Sequence, residues 1–228
     1  FIFFSSGIGY LTLGTYLTLN TLFLWFFDTD FNMLKTGFAD LNSFFVLAPW
    51  LLIFFIPALS MRSFSEERRT GTLELLLTKP LALWQIILGK YIGVMLLIMI
   101  VFLTTLIYLF ALYDLKLNSI PFDLGSIFSA YLGMTLLSSV FVAIGLLSSL
   151  LTKNQVSAFM LALIFCFIQF FLWKGIADLM HDVNAYNLLN QLGIFEHYLR
   201  LCQGLISIKD LIYFFALNYV LLYLGYLV

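Results

Sequence analysis

The side chains able to do covalent or metal chemistry are few and scattered along this chain. His181 and His197 are its two histidines, and neither has a partner at ligand spacing. Interfacial or solvated positions suit them better than a metal site, which needs several donors held together. Cys166 lies in an apolar run and Cys202 in a polar connection, which makes neither a disulfide framework nor a metal site. Gly89-Lys90 is followed by Tyr91, and Trp84 stands where the first glycine of a phosphate loop belongs, so the sequence offers no nucleotide cradle. It has no G-x-S-x-G elbow and no compact carboxylate pair, and Asp28, Asp30 and Asp40 read as a solvated loop. The chain is expected to be no enzyme and to bind no cofactor itself.

What remains is the chemistry of recognition. Arg62, Glu66, Glu67, Arg68 and Arg69 fall within eight residues of an otherwise apolar polymer. At roughly 2.5 to 3.5 kcal/mol per charge at a bilayer centre, five unneutralised charges would cost on the order of 12 kcal/mol, so this island must lie outside the hydrocarbon. Ser63, with Glu66 three places on, predicts a capping box that starts a new helix. A second short helix is expected from Gly71 and Thr72, with Leu73, Leu76 and Leu77 on one face and Glu74 on the polar side. Pro80 ends it. A charged turn followed by an amphipathic helix at a membrane surface has the shape of a docking element.

The elements that must position this island are membrane spans. Hydrophobic residues make up 63% of the 228 residues, charged residues 10%, and the mean hydropathy is +1.05, values no ordinary soluble domain reaches. A net charge of −1 gives no global attraction to nucleic acid, and the 26 phenylalanines read as surface for membrane lipid rather than a base-stacking platform. Six apolar runs are each long enough to cross a core about 30 Å thick, at residues 8–27, 44–61, 86–113, 124–151, 156–173 and from 211 onward. The expected fold is therefore all-α and polytopic. Pro49 and Pro57 should kink the second run. Gly89 and Gly93 form a small-xxx-small pair suited to close helix approach, with Lys90 snorkelling to the nearby surface. The fourth run is so rich in glycine and hydroxyl residues that it should be packed among other helices. Between the fifth and sixth runs, Ile176, Leu179, Met180 and Val183, then Ile194, Tyr198, Leu201, Cys202 and Leu205, predict short helices lying at, or dipping into, the interface opposite the island. Asn20, Gln169 and Asn218 are polar residues inside spans, able to line a cargo path or to bond a neighbouring helix. Basic residues are almost evenly divided between the two sides, so charge alone favours a cytoplasmic island only by a small margin.

The run from Arg62 to Pro80, RSFSEERRTGTLELLLTKP, followed by Leu88-Gly89-Lys90-Tyr91, resembles the signature of type 2 ABC exporter permeases. Within that group the chain is most similar to the permease subunit associated with bacterial gliding motility. Ser6-Gly7-Ile8-Gly9-Tyr10, Leu47-Ala48-Pro49-Trp50 and Leu192-Gly193-Ile194-Phe195-Glu196-His197-Tyr198 extend the likeness over nearly the whole chain, with Gly7 standing where relatives carry a proline. The resemblance implies one permease domain over residues 1–228, continuing beyond both ends, with six spans and a cytoplasmic coupling helix between spans 2 and 3. It implies a bacterial inner-membrane location and a second permease copy, identical or related. A separate cytosolic ATPase would use the ATP and magnesium. Glu66, Glu67, Arg68, Arg69, Gly71, Thr72, Leu73, Glu74, Leu76 and Leu77 would engage it. The same architecture would also serve an ATPase-coupled scaffold that moves no cargo.

Overall fold

In lipid a backbone must satisfy its own hydrogen bonds, and a chain this apolar does so by coiling. The computed structural model describes residues 7–33, 41–72, 82–115, 123–180 and 182–228. Every regular element among these is helical. In chain order they are α1 (Gly7–Thr21), α2 (Asn42–Ser60), α3 (Arg62–Thr70), α4 (Leu83–Thr105), α5 (Ile107–Leu115), α6 (Leu124–Leu151), α7 (Gln155–Phe167), α8 (Trp173–Asp178), α9 (Val183–Leu192), α10 (Ile194–Cys202) and α11 (Ile208–Leu227). Wider π turns, Leu22–Phe26 and Ile168–Leu172, extend α1 and join α7 to α8.

Five of the resulting continuous helices are long and apolar enough to cross a bilayer: Asn42–Thr70, Leu83–Ala111, Leu124–Leu151, Gln155–Ala177 and Ile208–Leu227. The first apolar stretch, Leu11–Phe26, is shorter. It lies against α2 through an edge-on pair of Tyr16 and Phe55, and Thr21 shares a 2.9 Å hydrogen bond with the Tyr108 hydroxyl. Pro49 and Pro57 are accommodated inside α2, and the Met61 N–H bonds to the Pro57 carbonyl at 2.9 Å.

The core is organised around α6. Of its apolar span 78% is buried, against 22% for the Gln155–Ala177 helix and 28% for α11. α2, α3, α4, α7, α10 and α11 all touch it. Two glycines make this possible. A Cβ on Gly145 would sit 2.7 Å from Ser60 Cβ, and one on Gly133 would sit 2.8 Å from Leu201 Cβ. α2 and α10 thus press directly on the α6 backbone, near opposite ends of the helix. Ser149 meets α3 at one end, while Ser126 at the other faces Gly204, the left-handed residue just beyond α10. From Ser126 to Ser149 an α-helix rises about 35 Å, so α6 connects the island end of the bundle to the far end.

Three expectations need correction. α10 does not lay its apolar face on lipid: Ile194, Tyr198 and Leu201 are buried, the Tyr198 hydroxyl donates to the Phe45 carbonyl at 2.6 Å, and the Gly133 notch receives Leu201. Its apolar face met a glycine-lined helix, a more complementary surface than lipid. α9, by contrast, buries none of its side chains. A Cβ added to Gly89 or Gly93 would meet nothing within 4 Å, so among the described residues the pair brings no helix close. His197 is not solvated but 5% exposed, because α11 starts at Ile208 and carries Asp210 against it.

Candidate docking site at the charged island

α3 grows out of α2 with Met61 in helical conformation, and no side chain caps it. The capping box expected at Ser63 and Glu66 therefore does not form, since Ser63 stands inside α3 rather than at its N-cap. The Ser63 hydroxyl is buried without a partner. Backbone donors at the junction are instead satisfied from α6. Ser149 Oγ accepts from the N–H groups of Phe64 at 2.9 Å and Ser65 at 3.0 Å, and donates to the Met61 carbonyl at 3.0 Å. One hydroxyl on the hub thus does for α3 what an N-cap residue does for a free helix.

Charged side chains strengthen the joint. Arg68 donates to the carbonyl of Leu150 at the C-terminal end of α6, where the helix dipole favours a cation. Lys90 of α4 does not snorkel into water. Its ammonium bonds the Ser63 carbonyl, pairs with Glu67 and lies 4.0 Å over the Phe64 ring, with the two charged side chains only 17% and 20% exposed. α3 is fastened in this way to both α6 and α4.

The island residues therefore divide by task. Glu67 and Arg68 are committed inward, while Arg69, Thr70, Gly71 and Thr72 are exposed and Glu66 is half-buried. Gly71, at φ 72°, takes the left-handed conformation that ends α3, a geometry open to glycine at no steric cost. Thr70 bonds back to the Glu66 carbonyl and shares a 2.9 Å hydrogen bond with Thr72, fixing the exit of the chain. Leu73, Glu74, Leu76 and Leu77, together with Lys79 and Pro80, lie outside the described residues.

The polar span residues bond to different neighbours rather than converging. Asn20 is fully buried and donates to the Tyr16 carbonyl at 2.9 Å, leaving its Oδ1 without a partner. Gln169 Nε2 donates to the Tyr213 hydroxyl at 3.2 Å. Asn218 joins three helices, donating to Ser139 Oγ at 2.7 Å and accepting from the Tyr91 hydroxyl at 3.3 Å. Sequence reasoning passed over Ser149 and the inward turn of Lys90. The one available signal was a cation opposite an acidic run at a span end. Among the described residues no group of three or more His, Cys, Asp or Glu is placed to hold a metal ion.

Comparison with known families gives a match to a family described as ABC-2 family transporter protein, over residues 19–228. No curated protein matches the chain.

Proposed function

As the chain belongs to the ABC-2 family of transporter proteins, whose members are non-catalytic permease components, we propose that it is the membrane half of an ATP-driven exporter. It is a multi-pass membrane protein. In this reading the helix at residues 7–26 completes six crossings, and residues 1–228 act as one permease domain in a bacterial inner membrane. The island faces the cytoplasm. A cytosolic ATPase grips it and supplies the work, and a second permease copy, identical or related, completes the translocator.

One observation carries the reading: the island is fastened to the most buried helix of the bundle. A load applied at Arg69 to Thr72 passes through Ser149 and Arg68 into α6, which extends about 35 Å to the far end, and through the Lys90–Glu67 pair into α4. Leu73, Leu76 and Leu77 would supply buried area in a groove of the ATPase. Glu66, Arg69 and Glu74 would set register and partner choice, as rim charges do. The likeness of the Arg62 to Pro80 run to gliding-associated permeases supports a role in bacterial gliding machinery.

The test is Leu76→Asp in the intact complex. Copurification of the ATPase, and the stimulation of its activity by the permease, should both be lost. Copurification unaffected by that change would overturn the reading. So would labelling of a Thr70→Cys variant from outside intact cells. A cargo-dependent ATPase rate in vesicles separates an exporter from a scaffold that moves nothing.

A further inference from the structure

The end of the bundle away from the island holds a buried ionic group that the transport reading leaves unused. Asp210, in the first turn of α11, is fully buried, and His197 of α10 is nearly so. His197 Nδ1 lies 2.6 Å from Asp210 Oδ1, and its Nε2 lies 2.8 Å from the Gln191 carbonyl oxygen at the end of α9. Arg200, one turn along α10, donates from Nη2 to Asp210 Oδ1 at 2.6 Å and from Nε to Oδ2 at 3.3 Å. Tyr213 stacks flat on the imidazole with ring centres 4.0 Å apart, and its hydroxyl donates to the Leu192 carbonyl at 2.6 Å.

A neutral imidazole carries one N–H and one lone pair. Here both ring nitrogens face oxygen acceptors, so either neutral tautomer sets a lone pair against an oxygen, at 2.6 Å or at 2.8 Å. Only the imidazolium donates on both sides. Arg200 acts in the opposite sense, because its Nη2 is 2.8 Å from Nδ1 and offers a hydrogen that a deprotonated Nδ1 can accept. Two arrangements follow. With the proton, His197 holds Asp210 and Gln191 together. Without it, Nδ1 turns to Arg200 and the contact with Asp210 must lengthen.

We propose that His197 is a proton-binding site and that its proton latches α10 to the start of the last span. The charged and titratable groups facing the imidazole are Arg200 from its own helix and Asp210 and Tyr213 from α11. α9 brings the Gln191 carbonyl to the ring and the Leu192 carbonyl to Tyr213, Gln169 donates to the Tyr213 hydroxyl, and Lys174 is engaged over the Phe195 ring. From the bundle side, α6 and α2 meet α10 at Gly133 and Phe45, which do not titrate. Histidine is the side chain whose charge ordinary changes of pH remove. Acidity at this end therefore tightens the α10 to α11 joint, and alkalinity releases it. The proposal concerns a joint within the chain and stands or falls separately from the ATPase reading.

The chain has two histidines, so His181→Gln leaves His197 as the single imidazole. In that protein, reconstituted in lipid with nitrogen-15 histidine, both ring nitrogens should carry protons at the acid end of a pH series, and one should lose its proton toward the alkaline end. Amide exchange across residues 194–202, corrected for the intrinsic pH effect, should quicken roughly tenfold or more over the same range, the ratio expected for one charge-assisted hydrogen bond. In His197→Gln it should stay flat. A bare ring nitrogen at the acid end overturns the proposal, as do two retained protons at the alkaline end or wild-type exchange indifferent to pH. The nitrogen measurement leaves His197, Arg200 and Asp210 intact, so a failure of His197→Gln to fold does not remove the test.

Discussion

Replacing Gly145 by alanine should separate α6 from α2 and loosen the island. The new Cβ would lie 1.9 Å from Ser60 Oγ and 2.7 Å from Ser60 Cβ. The hydroxyl can rotate away, but Cβ cannot. Carbon atoms rest about 3.5 to 4.0 Å apart, so the helices must part by about 1 Å. Overpacking of this kind costs about 2 kcal/mol. One turn further on, Ser149 bonds Phe64, Ser65 and Met61 at 2.9 to 3.0 Å, and a shift of that size carries those contacts beyond hydrogen-bond range. Two stranded backbone donors add about 1 kcal/mol each, bringing the expected loss to about 4 kcal/mol. Ser60→Gly removes both clashing atoms at a cost of about 1 kcal/mol for glycine in a helix. The double variant should therefore recover about 2 kcal/mol or more relative to additivity. Reversible unfolding in mixed micelles measures all four proteins. A Gly145→Ala protein within about 0.5 kcal/mol of wild type, or two changes that simply add, would refute direct backbone packing at this crossing.

Other outcomes follow from the same contacts. Ser149→Ala should cost about 2 kcal/mol, because it strands the Phe64 and Ser65 donors, whereas Ser148→Ala should cost well under about 1 kcal/mol, since that hydroxyl only bonds back to Ile144. The same unfolding assay compares them. Glu67→Gln, which leaves the Lys90 ammonium without its carboxylate, should destabilise by about 3 kcal/mol, and adding Lys90→Met should restore most of that. Gly133→Ala should push Leu201 away and expose α10 to protease sooner than wild type. Burial pushes the Cys202 thiol up to about 11, so its alkylation should be slow at neutral pH and should rise about tenfold per pH unit up to that point.

Much of the architecture was legible because it depends on local properties of the sequence. Hydrocarbon thickness sets the length of the spans, and the charges from Arg62 to Arg69 cannot enter it. Glycine and serine between Leu124 and Leu151 announced a helix surrounded by others. Where the reading failed, the deciding partner lay far along the chain. Ser63 and Glu66 have the spacing of a capping box, but the donors left at the junction are those of Phe64 and Ser65, and they are met by Ser149, more than eighty residues later. The spacing of Ile194, Tyr198 and Leu201 marks an apolar face without saying whether lipid or the Gly133 notch will cover it. Asp210 and His197 each look solvated in a hydrophilic connection, and only the early start of α11 joins them.

The serines of α6 carry a consequence for how the protein is made. This helix leaves the ribosome before α7, α10 and α11, three of the neighbours that later enclose it. Ser138 and Ser148 donate to carbonyls one turn back in their own helix, and Ser139 donates to Leu136. A newly inserted α6 can therefore wait for these three with these hydroxyl hydrogens already engaged. Ser139 keeps its oxygen lone pairs available, and Asn218, translated about eighty residues later, donates to them. Order of synthesis and order of assembly are thus reconciled by the direction in which a single O–H points.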